Sequence, residues 1–310
     1  VSGTALTAAF SATSVVDAPA SIVSVGGLNQ TATGGTAVAL PLTVTVSDAY
    51  GNLLNGVSVT WAITAGGGSA SPASPISTVI NGTATVSTWT LGTVATGVTL
   101  ANTLVATVSG TALTAAFSAT SVVDAATTLA IAAGQGQSAQ GGAAVTGVLS
   151  VTVFDQMNRN TVSGAVVVAG TPTADGVLVP STVTANEFGV ATFAAGTWTL
   201  AHVSTANTQA NSVTVGLSVA PSTFVTFTGT STVGAAATIV PVNGVNQTAT
   251  GGTAVALPLT VTVADNLGNL LNGISVTYVL TGGGSASPSS PITTVNGTAT
   301  VSTWTLGTVA

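Results

Sequence analysis

The sequence predicts an all-β fold made of tandem antiparallel β-sandwich domains. Three observations predict it: apolar residues alternate with polar ones, turn residues interrupt the alternation at roughly ten-residue intervals, and long motifs recur at a fixed spacing. Leu42, Val44 and Val46, for example, alternate with two threonines, as in a strand with one buried face. About seven such short strands per hundred residues indicate a sandwich of two sheets.

The alternation breaks at one place in the first repeat. Ala84 and Val86 are in phase with each other, but Trp89 and Leu91 fall on the opposite face. One extra residue in a strand restores the phase, because it turns the following side chains to the other side. We therefore expect a β-bulge near Ser87.

Internal repeats divide the chain. The segment from Asn29 to Val46 recurs letter for letter from Asn246 to Val263, 217 residues later, and a diverged copy with VTVFD at 151–155 lies between them. Residues 1–18 are identical to 108–125, so we expect them to close a preceding domain. The alternative is a strand-donating assembly, in which they fill the gap in the third domain of a neighbouring chain. The predicted organisation is the terminal strand of that domain over 1–18, a complete domain over 19–125, a diverged domain over 126–233, and a domain lacking its final strands over 234–310.

Composition excludes several classes of function. The chain has one arginine and no lysine, and its net charge is -6, so it lacks the cations that neutralise a nucleic-acid backbone. Thr, Ser and Gly interrupt every apolar stretch before the roughly 18–20 residues of a spanning helix, so we expect no membrane insertion in this segment. Cysteine is absent, and stability must come from packing and hydrogen bonds. The first residues lack the basic start and apolar core of a signal peptide.

Four motifs extend over almost a whole repeat: PLTVTVSDAYGNLLNGVSVTW at 41–61, GGGS at 66–69, NGTATVSTWTLGT at 81–93 and VSGTALTAAFSAT at 108–120. With these motifs, each repeat resembles the bacterial immunoglobulin-like domains of the invasin and intimin type. The resemblance implies tandem immunoglobulin-like domains that form an extended rod at the cell surface or outside the cell, and it implies no catalytic residue. The second repeat departs from the motifs, with Asp155-Gln-Met-Asn-Arg in place of DAYGN, which leaves its loop geometry open.

Asp48 and Asp265 begin the sequence D-x-x-G-N in the first and third repeats. Calcium takes six to eight oxygen ligands, more than these repeats offer, so a structural turn is the favoured interpretation. In such a turn the aspartate accepts backbone N–H groups. Asp17 and Asp124 occupy one position in the linkers between repeats, where we favour capping or solvation over a bound ion.

We predict that the chain is not an enzyme and binds no cofactor or metal. His202 is the single histidine and cysteine is absent, so no metal cluster and no nucleophile–base pair can form. A carboxylate pair for glycoside hydrolysis would have to come from Asp155, Asp175 or Glu187. Asp155 aligns with a turn aspartate instead, and we expect Arg159 to pair with it locally.

Trp89, Trp198 and Trp304 occupy one repeated position, where both a binding platform and a core anchor would require a large aromatic. Their recurrence in every copy favours the core. Trp61 aligns with Tyr278 in the third repeat and with Val168 in the second.

Asn-x-Thr sequons occur at turn positions. They are candidate glycosylation sites, although such short motifs also arise by chance in a threonine-rich chain. The four asparagines are Asn29, Asn81, Asn246 and Asn296.

Two functions fit these observations. The first is a structural repeat region of a large extracellular surface protein, forming a stalk or a laterally packed filament, with copies of itself or neighbouring repeats as partners. The alternative is an adhesin module whose loops bind a host or cell-surface receptor or glycan. The diverged loop at 170–181 is where we expect such binding.

Overall fold

The computed structural model describes residues 2–156 and 160–308. The chain divides into two compact units. Unit 1 consists of Val1–Ala125 and Asp155–Val162, and unit 2 consists of Ala126–Phe154 and Ser163–Ala310. Within the described part of the chain, no helix is long and apolar enough to cross a membrane.

Unit 1 contains a β-sandwich. One sheet has the strand order β1-β3-β7, the other has the order β2-β10-β9-β4-β6, and β5 pairs with β8. The pair β2 and β10 is parallel, and a 3-10 turn at Ile80–Gly82 precedes β7. The strands are β1 Ser21–Gly26, β2 Gln30–Thr33, β3 Leu42–Ser47, β4 Ser58–Ala65, β5 Gly68–Ser71, β6 Ile76–Ser77, β7 Thr83–Val86, β8 Thr88–Leu91, β9 Thr99–Val108 and β10 Thr114–Val122.

The core of this sandwich follows the alternation of the sequence. Leu42, Val44 and Val46 on β3 are fully buried, whereas the intervening threonines are only half-buried. The ring centroids of Trp61 on β4 and Phe117 on β10 lie 5.6 Å apart. Both strands belong to the five-stranded sheet, with β9 between them. The predicted all-β sandwich fold is confirmed.

The predicted bulge at Ser87 is wrong. Strand β7 ends at Val86 and pairs with β3, whereas β8 begins at Thr88 and pairs with β5. The chain therefore passes from one sheet to another at Ser87, and its hydroxyl donates a 3.1 Å hydrogen bond to the Ser71 carbonyl. This crossing explains why Val86 and Trp89 are both buried although they are out of phase.

Unit 2 contains two groups of strands. The first repeats the arrangement of unit 1, with the orders β11-β13-β17, β12-β20-β19-β14-β16 and β15-β18. Its strands are β11 Ala126–Ala133, β12 Gln137–Gln140, β13 Leu149–Asp155, β14 Val166–Ala169, β15 Val177–Leu178, β16 Thr182–Thr184, β17 Val190–Phe193, β18 Trp198–Thr199, β19 Thr208–Leu217 and β20 Ala220–Thr232.

The second group has the orders β21-β22-β26, β23-β25 and β24-β27. Its strands are β21 Thr238–Asn243, β22 Leu259–Ala264, β23 Ser275–Val276, β24 Gly284–Ser287, β25 Ile292–Thr293, β26 Thr298–Val301 and β27 Thr303–Leu306. No described strand corresponds to the long β9 and β10 of unit 1, and the fully or nearly buried core is correspondingly small.

The register corrects the alignment of Trp61 with Val168. Trp61 pairs with Ala106 across β4 and β9, and the corresponding pair in unit 2 is Ala169 with Val215. Val168 lies one residue earlier and is partly exposed. The position of Trp61 is therefore occupied by a small residue in the second repeat.

Two other core positions carry larger residues in the second repeat than in unit 1. Phe193 pairs with Leu149 where Val86 pairs with Leu42 in unit 1, and Val215 stands where unit 1 has Ala106. Phe193 and Val215 are both fully buried. These larger residues restore part of the core volume that is lost at the position of Trp61.

Residues 2–18 contain no strand, although the identical residues 108–125 contain β10. Phe117 is 0% exposed between neighbouring strands, whereas its sequence equivalent Phe10 is 97% exposed. Strand formation here depends on the pairing of β10 with β9 and β2, and not on the local sequence alone.

Candidate functional site

A junction of loops in unit 2 joins its two groups of strands. On one side lies the D-x-x-G-N turn after β22, with Asp265 and Asn269. On the other side lie Gly141, directly after β12, and Val203, in the loop after β18. We call these four residues the Asn269 junction.

The aspartate organises its own turn. Its carboxylate accepts the N–H groups of Leu267 and Asn269 at 2.9 Å, the Asn269 amide at 2.8 Å and the Gly234 N–H at 2.7 Å. Burial alone raises the pKa of Asp265, but these donors, with Gly234 first, outweigh it and hold the pKa well below its usual range. The turn therefore carries a stable negative charge that fixes the asparagine amide.

The amide of Asn269 faces outward from the turn and bridges two loops of the preceding repeat. Its Oδ1 accepts the Val203 N–H at 2.7 Å, and its Nδ2 donates to the Gly141 carbonyl at 2.9 Å as well as to Asp265. Asn269 is 0% exposed. Both amide hydrogens and the oxygen are used, so the buried side chain is satisfied.

Gly141 is required for space. A β-carbon at this position would overlap Asn269 Oδ1 and lie 2.9 Å from the Ala201 carbonyl oxygen. Its φ is not in the left-handed region, so an ordinary residue would fit the backbone if the space existed. The close approach of the asparagine therefore explains the glycine.

A second buried asparagine holds the loop that receives Asn269. Asn211 on β19 accepts the Ala201 N–H at 2.8 Å and donates to the Ser231 hydroxyl, which donates to the Ala201 carbonyl at 2.7 Å. Asn211 and Ser231 are buried, and Ala201 is two residues before Val203. The network thus fixes the backbone that presents the Val203 N–H.

Further hydrogen bonds extend the contact beyond the four residues. The Leu270 N–H donates to the Val203 carbonyl at 3.0 Å. The Asn272 N–H donates to Asn207 Oδ1 at 3.0 Å, and the Asn272 amide donates to the Thr205 carbonyl at 2.9 Å. All of these contacts join neutral groups, so no ion pair contributes to them.

Unit 1 contains the same arrangement. Asn160 is 0% exposed, accepts the Val94 N–H at 2.6 Å and donates to the Gly34 carbonyl at 3.0 Å and to Asp155 at 2.5 Å. A β-carbon on Gly34 would overlap Asn160 Oδ1. The recurrence makes the junction a property of the repeat.

The supporting network also recurs in unit 1. Asn102 on β9 accepts the Gly92 N–H at 3.0 Å and donates to Ser121, which donates to the Gly92 carbonyl at 2.8 Å. These three residues match Asn211, Ser231 and Ala201 of unit 2 in every bond. Asn102 and Asn211 were not predicted from the sequence. The signal that could have identified them is their place in the alternation, because each occupies an inward-facing position of its strand.

Asn160 was also missed, because it lies five positions after Asp155. In the D-x-x-G-N motif the asparagine lies four positions after the aspartate. The Asp155 N–H nevertheless donates to the Asn160 carbonyl at 3.1 Å, as in the other turns. Arg159, the expected partner of Asp155, lies outside the described residues.

Asp48 forms the corresponding turn at the start of unit 1. Its carboxylate accepts the Asn52 amide at 2.8 Å, the Asp17 N–H at 3.1 Å and the N–H groups of Tyr50 and Asn52 at 2.9 Å. The Asn52 side chain first, and then the backbone N–H groups, lower the pKa of Asp48 to about 2.

The linker aspartates contact protein groups. Asp17 and Asp124 each accept the N–H of the following alanine at 2.8 Å, and Gln156 donates to the Asp124 carboxylate at 2.7 Å. Among the residues that the structure describes, no group of three potential metal ligands is present.

The repeated tryptophans differ in burial. Trp89 and Trp198 are 0% exposed and lie in the cores of their sandwiches, whereas Trp304 is partly exposed. The difference has a simple origin, because Trp304 is in the group of strands that has no described counterpart of β9 and β10 to cover it.

His202 and Asp175 form a pair on the surface of the second repeat. The imidazole Nδ1 contacts Asp175 Oδ2 at 2.5 Å, and the His202 N–H donates to Asp175 Oδ1 at 2.9 Å. The contact with His202 lowers the pKa of Asp175. This pair was not predicted from the sequence.

The four sequon asparagines are all exposed and all have a positive φ, between 49° and 63°. Asparagine tolerates this left-handed conformation better than most residues, which gives each a turn role independent of any glycan. They are Asn29, Asn81, Asn246 and Asn296.

No family model matches the sequence, and no curated protein matches it. Among solved structures, the chain is similar to invasin, a bacterial integrin-binding protein, with 19% identity and a TM-score of 0.43 over 94% of this chain and 55% of that one. It is also similar to FdeC, an adhesin of Escherichia coli, with 23% identity and a TM-score of 0.41 over 96% and 92% of the two chains. The D0-D1 domain of intimin matches with 18% identity and a TM-score of 0.24 over 69% and 98%.

This chain thus spans about half the length of the invasin structure. In unit 1 and in the first group of unit 2, a three-stranded sheet and a five-stranded sheet form a sandwich with inward-facing alternation. Most strand pairs in these sheets are antiparallel, whereas β2 with β10 and β12 with β20 are parallel. The chain is an all-β protein of immunoglobulin-like β-sandwich repeats.

Proposed function

We propose that the chain is a structural repeat region of a large extracellular surface protein, where it forms a stalk or filament. The proposed immunoglobulin-like domains are 19–125, 126–233 and 234–310, with 1–18 as the terminal strand of a preceding domain. The observation that carries the proposal is the complete burial of Asn269 between two repeats. A spacer needs joints of defined geometry, and a satisfied buried amide provides one.

Composition supports the same proposal. Eight charged residues in 310 leave little repulsion between neighbouring chains, so copies of the protein can pack side by side. The partners we propose are therefore neighbouring repeats and copies of the same chain. No catalytic role is proposed.

Electron microscopy of the native, undigested material tests this function. Strands of about ten residues at roughly 3.3 Å per residue predict beads about 35 Å long. Continuous fibres with that axial repeat would support a filament, and separate shafts with the same beads would support a stalk. Compact particles with no beaded axis would contradict both.

An adhesin module is a second candidate, because the diverged second repeat has surface features of its own. The loop at 170–181 borders a shallow cleft of about 280 Å³ that includes Gly170, Pro172 and Leu178. The Asp175–His202 pair lies on the same loop and on the one after β18. A glycan array probed with the whole chain tests this function, with D175A expected to lose binding and N269A to keep it.

A further inference from the structure

The turn at Asp48 and Asn52 has the hydrogen-bonding groups of the Asn269 junction without the loops that complete it. In both turns the aspartate accepts the asparagine amide and the N–H groups two and four residues later. The backbone N–H of the incoming linker also reaches the same carboxylate oxygen, from Asp17 in one turn and from Gly234 in the other. The two turns are therefore equivalent on the inner side.

They differ on the outer side. Asn269 and Asn160 are 0% exposed, whereas Asn52 is exposed. The Asn52 amide donates to Asp48, and its Oδ1 has no partner among the described residues. One acceptor and one amide hydrogen of Asn52 are thus available at the positions where Asn269 binds Val203 and Gly141.

We propose that the Asp48–Asn52 turn is a docking surface for the loop end of another immunoglobulin-like repeat. That loop end would present a glycine carbonyl beside a valine N–H, as Gly34 and Val94 do for Asn160 and as Gly141 and Val203 do for Asn269. The proposal rests on the proposed function, since it names the partner of one of these repeats.

The partner is specified by shape as well as by hydrogen bonding. Both occupied junctions need a glycine where a β-carbon would overlap the asparagine oxygen. A loop with any side chain at that position would be excluded. Asn52 is already held by Asp48, so little side-chain freedom remains to be lost on docking.

The sequence offers a direct way to supply the partner. Residues 1–18 are identical to 108–125, so a copy of residues 19–107 placed before Val1 yields a complete additional repeat ahead of the present chain. The added copy carries its own equivalents of Gly34 and Val94. The test compares the original chain with this extended chain.

The readout is the hydrogen exchange of the Asn52 side-chain amide, followed by NMR. Docking should slow this exchange at least about tenfold in the extended chain relative to the original, because it removes the amide from water. Changing Gly34 to alanine in the added copy alone should restore fast exchange. The Asn269 amide serves as the control and should exchange slowly in both chains.

A second measurement uses stability. Asn52→Ala should lower the denaturation midpoint of the extended chain and leave that of the original chain nearly unchanged. Equal exchange of Asn52 in both chains, or an equal effect of N52A on both, would overturn the proposal. The stalk or filament function would survive that result, since it is tested separately by the beaded axis of the native material.

Discussion

The side-chain oxygen of Asn269 lies 2.7 Å from the backbone nitrogen of Val203, in a place that solvent does not reach. Asn160 and Val94 make the same contact at 2.6 Å. Only an amide side chain of this length both accepts this N–H and donates to the glycine carbonyl beside it. Aspartate has no donor when ionised, and glutamine is longer by one methylene group.

Removal of this amide should destabilise unit 2. Asn269→Ala leaves the Val203 N–H and the Gly141 carbonyl buried without partners, so we expect a loss of about 2–3 kcal/mol in the free energy of unfolding. Asn52→Ala, at the exposed equivalent, should cost less than about 1 kcal/mol. Urea unfolding followed by tryptophan fluorescence measures both, and equal losses would refute the role of the junction.

The glycine of the junction should not accept a side chain. Gly141→Ala forces a methyl group against Asn269 Oδ1 and the Ala201 carbonyl, and we expect a loss of about 1–3 kcal/mol from overpacking. Gly26→Ala is the control, because a β-carbon there meets nothing closer than 3.9 Å and its φ is ordinary. A crystal structure of G141A with Asn269 undisplaced would contradict this prediction.

Acid should destabilise the turns. The pKa of Asp48 falls from 3.8 to about 2 on folding, and the pKa of Asp265 is also lowered. A carboxyl group with a lower pKa in the folded state stabilises the protein above its unfolded pKa, and this contribution is lost as the pH falls through the folded pKa. Stability should therefore decline between about pH 4 and pH 2.

Thermal melting across that range measures the effect. Asp48→Asn should melt at a lower temperature at neutral pH, because it loses a charged acceptor, but it should lose less on acidification than the parent. If both proteins respond equally to acid, Asp48 does not contribute to the pH dependence.

The tryptophans should differ in importance although they share a sequence position. Trp198→Ala opens a cavity in a closed core and should cost about 3–5 kcal/mol. Trp304→Ala removes a partly exposed ring and should cost clearly less. Calorimetry of the two variants measures the loss in the free energy of unfolding. Equal losses would indicate that Trp304 is as well packed as Trp198.

The sequence predicts the sandwich well because alternation reflects burial directly, as Leu42, Val44 and Val46 show. It fails at Ser87, because a bulge and a crossing between sheets produce the same change of phase. Comparison of the repeats also aligns Val168 with Trp61. The strand register shows that Ala169 occupies the position equivalent to Trp61.

The junction could be predicted only in part. The D-x-x-G-N turn and its aspartate were predictable, since local hydrogen bonds form this turn. The outward contacts of Asn269 were not, because they depend on loops more than 60 residues away in sequence. Asn160 shows the same limit, since one additional residue in its turn hides the match while the hydrogen bonds stay the same.

The first and second repeats each carry both halves of such a joint: an asparagine turn, at Asn52 or Asn160, and a glycine carbonyl with a valine N–H, at Gly34 with Val94 or at Gly141 with Val203. An in-register duplication of one repeat would therefore bring a matched pair of contact surfaces with it, and no new interface would have to evolve. The exact recurrence of Asn29–Val46 at Asn246–Val263 is what recent duplication would leave. In the proposed stalk, length could then change by whole repeats at little cost to folding, and the distance that the stalk spans would change in steps of one repeat.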